Sequence, residues 1–334
     1  MIPANAPATQ PTPWQLQWRD AVRDPAQLLA ALGLQRLSGQ LAEDGLAQFP
    51  LRVPRHFIAR MRHGDASDPL LRQVLPLDAE DLSAPGFGLD AVGDLDASAA
   101  PGLLHKYEGR ALLVATGSCA IHCRYCFRRH FPYAEQTAAA NQWGESLAHR
   151  RRAPGIEELL LSGGDPLSLS TAKLQQFTDA LEDIGHVKRL RIHTRLPIVL
   201  PDRVDGALLD WLSGLAQQCI VVVHANHPNE IDADVAAALG ALRATGATVL
   251  NQSVLLRGVN DDVDALAGLS LKLFESGTLP YYLHPLDRVA GVAHFEVDDA
   301  HALALAEALR ARLPGYLVPR LVREVAGAHS KLPL

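Results

Sequence analysis

Three cysteines lie within a short stretch of the chain, and their spacing is its most informative chemical feature. Cys119, Cys123 and Cys126 form a C-x3-C-x2-C pattern in the run G-S-C-A-I-H-C-R-Y-C-F-R-R, and the whole chain has only four cysteines. Three thiolates on one loop can hold a metal centre. They suit a four-iron four-sulfur cluster, which normally takes four cysteines. One iron would then stay open to a substrate or cofactor.

Other uses of these cysteines are less favoured by the pattern. A disulfide framework is typical of short secreted chains with an even set of cysteines. Zinc stays an alternative, with His122 or His130 as fourth ligand. Structural zinc sites, however, usually use two closely spaced ligand pairs such as C-x2-C or H-x3-H, and the second pair is missing here. Inert core cysteines would be scattered singly, as expected for Cys219 in its apolar run.

The cysteines need a scaffold, and the pattern after Arg110 predicts one. Short β-rich runs alternate with helical patterns, which indicates parallel βα units with right-handed crossovers. Six units predict an α/β fold, a partial (β/α)6 TIM-like barrel. The predicted strands are Ala111–Thr116, Glu158–Ser162, Arg189–Thr194, Ile220–His224, Thr248–Ser253 and Pro280–His284, and the predicted helices are Thr171–Ile184, Val204–Gln217, Asp232–Thr245, Val263–Ser276 and Asp298–Arg312.

Polar residues follow every predicted strand. In parallel βα barrels the active site lies at the carboxyl ends of the strands, so these residues should meet at one rim. In chain order they are the three cysteines, the run Ser162–Pro166, Thr194 with Arg195, the run His224–His227, the run Asn251–Ser253, and His284 with Asp287.

The first third of the chain has a different character. It predicts a helical and irregular extension over residues 1–109 that packs on the barrel, which would occupy residues 110–334 and end in a segment that carries a lysine. The details expected are a frayed arm at Met1–Pro13, helical structure at Trp14–Gly33 with Asp24 and Pro25 as an N-cap and N1 pair, helices at Arg36–Gln48 and Val53–Met61, and an irregular wrapping segment at Asp65–Pro101.

Composition narrows the possible functions. Hydrophobic residues make up 48% and charged residues 20% of the chain, an ordinary balance for a soluble globular protein. A net charge of -6 argues against direct nucleic-acid binding, which needs a basic face. No run approaches the roughly 20 apolar residues of a membrane span. Free thiols and a cluster site suit a reducing interior, so we expect a cytoplasmic protein.

The cysteine loop also carries a resemblance to a known family. The C-x3-C-x2-C pattern with Tyr125 before its last cysteine resembles the radical S-adenosylmethionine signature. The run from Cys119 to Phe131, with Arg128 and Arg129, resembles the lysine 2,3-aminomutases. The resemblance covers nearly the whole chain, including Trp14–Leu32 and Pro280–His284, and it is greatest to the members that serve β-lysylation of elongation factor P. This resemblance implies an isomerase that converts L-α-lysine into β-lysine by 1,2-amino migration. It implies a [4Fe-4S] cluster, S-adenosyl-L-methionine and pyridoxal 5′-phosphate as cofactors.

The resemblance assigns a first set of residues to the cluster and to S-adenosylmethionine. Without the resemblance, Gly163 and Gly164 would indicate only a tight turn, and His224 would be a histidine at the end of a strand with its hydrogen bonds satisfied inside the protein. By resemblance, the cluster ligands are Cys119, Cys123 and Cys126, and the S-adenosylmethionine contacts are Ser162, Gly163, Gly164, Asp165, His224 and Gln252.

A second set is assigned to pyridoxal phosphate and to lysine. Taken alone, Lys331 would be a solvated tail residue. The resemblance makes it the catalytic residue that binds the pyridoxal aldehyde, although Gly327 stands where the family has a glycine run. Glu324 is one methylene longer than the aspartate of the family. The assigned residues are Lys106, Tyr107 and Arg110 for the cofactor phosphate, Arg128 for the substrate carboxylate, and Asp287 and Glu324 for the substrate ammonium.

The implied partners follow from this activity. They are L-lysine, an electron donor of the flavodoxin or ferredoxin type, and, functionally, a lysyl-tRNA-synthetase-like ligase that modifies elongation factor P. A homo-oligomer is compatible with the sequence. Two alternatives stay open: a general lysine 2,3-aminomutase of lysine metabolism, and a non-enzymatic iron–sulfur or zinc protein that would not depend on Lys331.

Overall fold

The computed structural model describes residues 12–138, Trp143 and 153–334. Residues 1–11 of the predicted arm Met1–Pro13 lie outside this range. None of the helices in the described ranges combines the length and apolar character that a membrane span requires.

Within the described residues, ten strands form a single sheet whose spatial order follows the chain order. The strands are β1 Ser98–Ala100, β2 Leu103–Tyr107, β3 Arg110–Thr116, β4 Glu158–Gly163, β5 Arg189–Thr194, β6 Gln218–Val223, β7 Thr248–Val254, β8 Leu279–His284, β9 Arg320–Arg323 and β10 Leu332–Pro333. Neighbouring strands from β3 to β9 are parallel, whereas β1 pairs antiparallel with β2, β2 with β3 and β10 with β9.

The α/β prediction is confirmed, since β3 to β8 are the six predicted strands. The sequence analysis missed β9, a seventh parallel strand of only four residues, and the antiparallel strands at both edges. The predicted division at residue 109 falls in the turn between β2 and β3, and β2 belongs to the same sheet as the barrel strands. That division stays a prediction.

Eleven α-helices occur in the described ranges. They are α1 Pro13–Arg19, α2 Pro25–Ala31, α3 Glu43–Gln48, α4 Arg55–Ile58, α5 Pro69–Arg72, α6 Thr171–Glu182, α7 Leu196–Val199, α8 Gly206–Ser213, α9 Ala233–Ala244, α10 Val263–Glu275 and α11 Asp299–Arg312. Five of them, α6 and α8 to α11, match the predicted barrel helices to within a few residues at each end.

The N-terminal helices are shorter than predicted. The expected helical segment Trp14–Gly33 is divided into α1 and α2. The predicted pair is confirmed, since the Asp24 side chain accepts a hydrogen bond from the Ala26 amide and α2 starts at Pro25. A single helix over Arg36–Gln48 was wrong. A 3-10 turn and α3 share that range.

Capping residues fix where the long barrel helices begin. One polar side chain precedes each of these helices and accepts a hydrogen bond from the amide three residues further on, which satisfies a free donor of the first turn. These caps are Ser170, Asp205, Asp232, Asp262 and Asp298. They limit the length of the loops that leave the carboxyl ends of the strands, where the candidate site lies.

The hydrophobic core joins the barrel to the N-terminal helices. Strand residues such as Leu161 and Ile192 share one buried cluster with Phe177 of α6 and with Leu28 and Phe57 of the N-terminal helices. Cys219 is buried in the same cluster, as its apolar surroundings predicted. The N-terminal segment therefore packs on the barrel wall, close to the cysteine loop.

Candidate active site

All sixteen candidate residues line one cavity of about 400 Å³ at the carboxyl ends of the barrel strands. Both the three cysteines and Lys331 contribute to its wall. The volume lies in the range of cofactor and ligand pockets. Residues separated by more than two hundred positions in the sequence therefore line one cavity.

The cysteine loop follows β3 and closes on itself. The Cys126 amide donates to the Cys123 carbonyl at 3.0 Å, and all three cysteines are half-buried. Burial and the charge of Cys123 raise the pKa of Cys126 to about 11, and burial likewise raises the pKa of Cys119. Gathered thiolates in such a place repel one another, so a cationic centre is what would stabilise their ionised form.

The geometry fits a cluster better than zinc. No set of three or more His, Cys, Asp or Glu side chains among the described residues is gathered closely enough for one metal ion. A cubane does not need such a set, since each cysteine binds a different iron. The candidate fourth zinc ligands each have one ring nitrogen at a backbone carbonyl: His122 Nδ1 lies 2.7 Å from the Pro50 carbonyl, and His130 Nε2 lies 3.2 Å from the Ala290 carbonyl.

A buried ion-pair network holds the cysteine loop to the N-terminal segment. Arg124 and Glu80 are fully buried and form a salt bridge, and Arg129 donates to the same carboxylate at 3.0 Å. Arg124 also donates to the carbonyls of Phe49 and Gly45. Such a network is stable only because every member has partners. Sequence reasoning missed Glu80, which lies in the segment predicted to be irregular.

The glycine pair at the end of β4 is required by a close crossing of two chain segments. Gly163 has φ +115°, and a Cβ there would lie 2.7 Å from the Thr116 carbonyl oxygen. A Cβ on Gly164 would lie 2.5 Å from the Ser118 carbonyl oxygen. Side chains at either position would push β4 away from the cysteine loop, because real Cβ atoms do not approach that closely.

Asp165 uses its carboxylate within the protein. It accepts hydrogen bonds from Thr194 Oγ1 at 2.7 Å and from the amides of Arg195 and Leu167 at 2.7 and 3.0 Å. Burial raises its pKa, and these hydrogen bonds oppose that rise. Asp165 therefore ties the end of β5 to the glycine turn. Its carboxylate supports the cavity wall.

His224 and Gln252 lie beside the cysteine loop. His224 Nε2 lies 2.7 Å from the Tyr125 hydroxyl, and burial lowers the pKa of His224 to about 4, so its ring is neutral. The buried Gln252 Oε1 has no hydrogen-bond partner among the described residues. An acceptor of this kind in a cavity wall suits a ligand that brings a donor.

The tail is tied into the sheet, which places Lys331 in the cavity. β10 pairs with β9 immediately after Lys331, and the Leu334 amide donates to the Leu321 carbonyl at 3.2 Å. Gly327 makes the turn with φ +76°. The position of Lys331 near the chain end alone predicted a solvated lysine. The pairing of β9 with β10 instead places Lys331 in the cavity wall.

Alternating charges cross the far side of the cavity. Lys331 Nζ donates to the Glu324 carboxylate, and Lys106 Nζ lies 3.4 Å from its other oxygen. Lys106 Nζ also lies 2.7 Å from Asp94 Oδ1, and Arg128 Nε donates to Asp94 Oδ2 at 2.6 Å. Asp94 thus joins two candidate site residues. Sequence reasoning missed it because its surroundings show no periodic pattern.

The remaining candidates surround this charged side. Burial raises the pKa of Asp287 to about 6, while the Lys331 charge opposes the rise. The Arg110 guanidinium lies 4.4 Å from the centre of the Tyr107 ring. Arg128 Nη1 donates to Ser162 Oγ at 3.0 Å, so these two candidates from different sets are in direct contact.

Two histidines that the resemblance did not assign also line the cavity: His284, which was predicted at the rim, and His193, which was not. The Nε2 atoms of His193 and His284 are buried and have no hydrogen-bond partner in the part of the chain that the structure describes. Burial and the Lys331 charge lower the pKa of His284 to about 3, and burial lowers that of His193 as well. Both rings are therefore neutral donors or acceptors for a ligand.

Comparisons with known proteins give one family model and several relatives. A family model described as a 4Fe-4S single cluster domain matches residues 107–194. The chain is 47% identical to L-lysine 2,3-aminomutase of Escherichia coli over 100% of this chain and 97% of that protein. It is 45% identical to the enzyme of the same name from Haemophilus influenzae, covering 95% and 94%.

Two less similar proteins match this chain over only part of their own length. L-lysine 2,3-aminomutase of Clostridium subterminale is 31% identical over 96% of this chain and 77% of that protein. A solved radical SAM methyltransferase from Sphaerobacter thermophilus has a TM-score of 0.50 at 18% identity, covering 66% of this chain and 68% of that one. At that identity the methyltransferase supports the partial-barrel fold alone.

Proposed function

The chain belongs to the lysine 2,3-aminomutase family of radical S-adenosylmethionine enzymes, and from this premise we propose that it converts L-α-lysine into β-lysine. The amino group would move from Cα to Cβ of the substrate. One observation carries the proposal: a single cavity joins the three-cysteine loop to the Lys331 amine. A non-enzymatic iron–sulfur protein would have no use for that lysine.

The proposal places the cluster and S-adenosylmethionine at one end of this cavity and pyridoxal phosphate at the other; these are called its two cofactor ends. Bound there, the [4Fe-4S] cluster with S-adenosylmethionine supplies a 5′-deoxyadenosyl radical, and pyridoxal phosphate supplies an aldehyde that holds the substrate amine. Cys119, Cys123 and Cys126 would hold the cluster. The free Oε1 of Gln252 would accept a hydrogen bond from S-adenosylmethionine.

Lys331 would anchor pyridoxal phosphate through its amine. In the ligand-free structure this amine is paired with Glu324. With the Lys331 amine held by the cofactor, the Glu324 carboxylate would lose this partner and could take another ammonium, for which the ε-ammonium of lysine is the matching group. Lys106 and Arg110 also line the cavity and would bind the phosphate.

Arg128 would bind the substrate carboxylate. Its hydrogen bonds to Asp94 and Ser162 use two of the five donors of the guanidinium, so the group is held in place with donors left over. A planar guanidinium with a fixed orientation can take a carboxylate through two parallel hydrogen bonds. Arg128 and the pair Asp287 and Glu324 would then fix both ends of lysine.

Spectroscopy of two variants tests the two-cofactor proposal. We expect anaerobically reconstituted protein to hold about four irons per chain and to show the visible absorbance of bound pyridoxal phosphate. Lys331→Ala should lose the pyridoxal absorbance and keep the iron, and Cys123→Ala should lose the iron and keep the absorbance.

Lys173→Ala is the matched control, because Lys173 is an exposed lysine on α6 and should change neither signal. If both signals disappeared together in each site variant, the proposal of two separate cofactor ends would fail. If Lys331→Ala changed nothing and no pyridoxal absorbance appeared, the non-enzymatic alternative would be favoured.

We further propose that the β-lysine serves the modification of elongation factor P through a lysyl-tRNA-synthetase-like ligase, with a flavodoxin or ferredoxin as electron donor. This proposal rests on the resemblance to the members of the family that serve β-lysylation of elongation factor P. The test is mass spectrometry of elongation factor P from cells that lack this protein. Loss of a β-lysyl mass would support the link, and unchanged mass would favour general lysine metabolism.

A further inference from the structure

A buried arginine, Arg195, donates a hydrogen bond directly to one of the three cysteine sulfurs. Arg195 follows β5, and its Nη1 lies 2.7 Å from Cys123 Sγ. The residue is only 7% exposed. It belongs to neither of the residue sets assigned above to the cofactors and the substrate.

The guanidinium is held in this position from several sides. Nη1 also donates to the Tyr125 hydroxyl at 2.8 Å, and Nη2 donates to Gln73 Oε1 at 2.7 Å and to Glu230 Oε2 at 2.9 Å. The backbone of Arg195 is fixed by its hydrogen bond to Asp165. With so many partners, the donor that faces Cys123 has a single orientation.

Glu230 is the counter-charge of Arg195 and is itself held firmly. It is fully buried, and its Oε1 accepts hydrogen bonds from the Asn226 amide at 2.9 Å and from Gln73 Nε2 at 3.1 Å. Arg195 and Glu230 therefore form a buried pair with one face toward the cysteine sulfur. Such a pair places a partly neutralised positive charge beside the sulfur.

Hydrogen bonds to the sulfurs and nearby charge are the means by which proteins set the reduction potential of an iron–sulfur cluster. Reduction adds an electron to the cluster, so a positive donor at a cysteine sulfur favours the reduced form. A charge-assisted donor in a buried place has a larger effect than a neutral one.

We propose that Arg195 raises the reduction potential of the cluster through its hydrogen bond to Cys123 Sγ, and that Glu230 limits this effect. The inference rests on the proposed function, since it requires the cluster at these cysteines. Arg195 is a positioning residue in this account: it acts through Cys123 and need not touch the substrate.

The two members of the pair should shift the potential in opposite directions. Arg195→Met combined with Glu230→Gln removes both charges together, leaves no unpaired buried charge, and should lower the potential. Glu230→Gln alone keeps the donor, removes its counter-charge, and should raise the potential. A purely structural role of the pair would give shifts of the same sign or only a loss of iron.

The experiment is a redox titration of the anaerobically reconstituted protein, followed by electron paramagnetic resonance and with iron content measured in parallel. At a fixed solution potential we expect the ratio of reduced to oxidised cluster in the double variant to fall about tenfold, which is about 59 mV for a one-electron couple. Glu230→Gln should move the ratio the other way.

Arg203→Lys is the matched control. Arg203 is also fully buried, but it donates to the Leu167 carbonyl at 2.7 Å and does not line the cavity. The Arg203→Lys substitution should lower thermal stability and leave the reduction potential of the cluster unchanged. If the double variant fails to hold iron, Arg195→Lys replaces it, since the shorter ammonium keeps the charge but not the forked donors, and it should lower the potential as well.

Equal reduction potentials in the wild type and the iron-loaded variants, or shifts of the same sign in the double variant and in Glu230→Gln, would overturn this inference and leave the proposed function unaffected. A wild-type protein without iron would overturn the proposed function together with it. Opposite shifts with the control unchanged would support Arg195 as the residue that sets the potential.

Discussion

Replacing Asp287 with asparagine should stabilise the ligand-free protein and weaken lysine binding at the same time. Burial raises the pKa of Asp287 from 3.8 to about 6. Because the folded-state pKa is above the unfolded value, the native fold favours the protonated carboxyl. Stability that is fully present below pH 4 is therefore lost as the pH rises through 6.

The size of the effect follows from the shift. About two pKa units correspond to about 3 kcal/mol at pH 8, and the partial exposure of the side chain reduces this to about 2 kcal/mol. A chain of this length gains about 1.4 °C in Tm per kcal/mol, from an unfolding entropy of about 2.1 cal/mol/K per residue. We expect Asp287→Asn to raise Tm by about 3 °C at pH 8 and to leave it unchanged near pH 4.

Thermal unfolding of the ligand-free protein at the two pH values measures this difference. Asp299→Asn is the contrasting control, since Asp299 is exposed and accepts a hydrogen bond from Arg323 that lowers its pKa. That variant should lose a little stability at pH 8. If Asp287→Asn were no more stable than wild type at pH 8, the argument from burial would be refuted.

The same variant should bind lysine less tightly. Loss of a hydrogen bond between charged groups costs roughly 1.5–3 kcal/mol, which is about 10- to 100-fold in affinity. Alanine has no ε-ammonium, so its weaker binding should not change. Equal losses for lysine and alanine would mean that Asp287 does not recognise the ammonium.

Two further predictions concern the cysteine loop. Glu80→Gln leaves Arg124 without its buried counter-charge, which should cost about 3–5 kcal/mol; a lower Tm and faster iron release to a chelator would show it, and an unchanged release rate would contradict it. Gly164→Ala places a Cβ against the Ser118 carbonyl, so reconstituted iron should fall well below the wild-type content. Gly185→Ala, where a Cβ meets open space, should keep it in full.

The parallel strands and the rim of the site could be predicted because local patterns determine them. β5 alternates Leu190, Ile192 and Thr194, which are buried, with Arg191 and His193, which line the cavity. In a parallel sheet that is covered on both faces, a polar residue at alternate positions points to a cavity. The alternation in β5 is therefore a sequence signal that could have identified His193 as a cavity residue.

The supporting charges could not be predicted in this way. Asp94, Glu80 and Glu230 stand in irregular segments, and in the sequence they look like ordinary surface acids. Each becomes significant only because the fold brings an arginine against it in a buried place. β9 was missed for a related reason, since four residues after Pro319 give too little periodicity to predict a strand.

The most direct test of the account is product analysis after anaerobic incubation with L-lysine, S-adenosylmethionine, pyridoxal phosphate and a reductant. We predict that β-lysine forms with wild-type protein and that neither Lys331→Ala nor Cys123→Ala forms it. Formation of β-lysine by Lys331→Ala at the wild-type rate, or cleavage of S-adenosylmethionine by the wild type without any β-lysine, would contradict a shared cavity that joins the cysteine loop to the tail lysine.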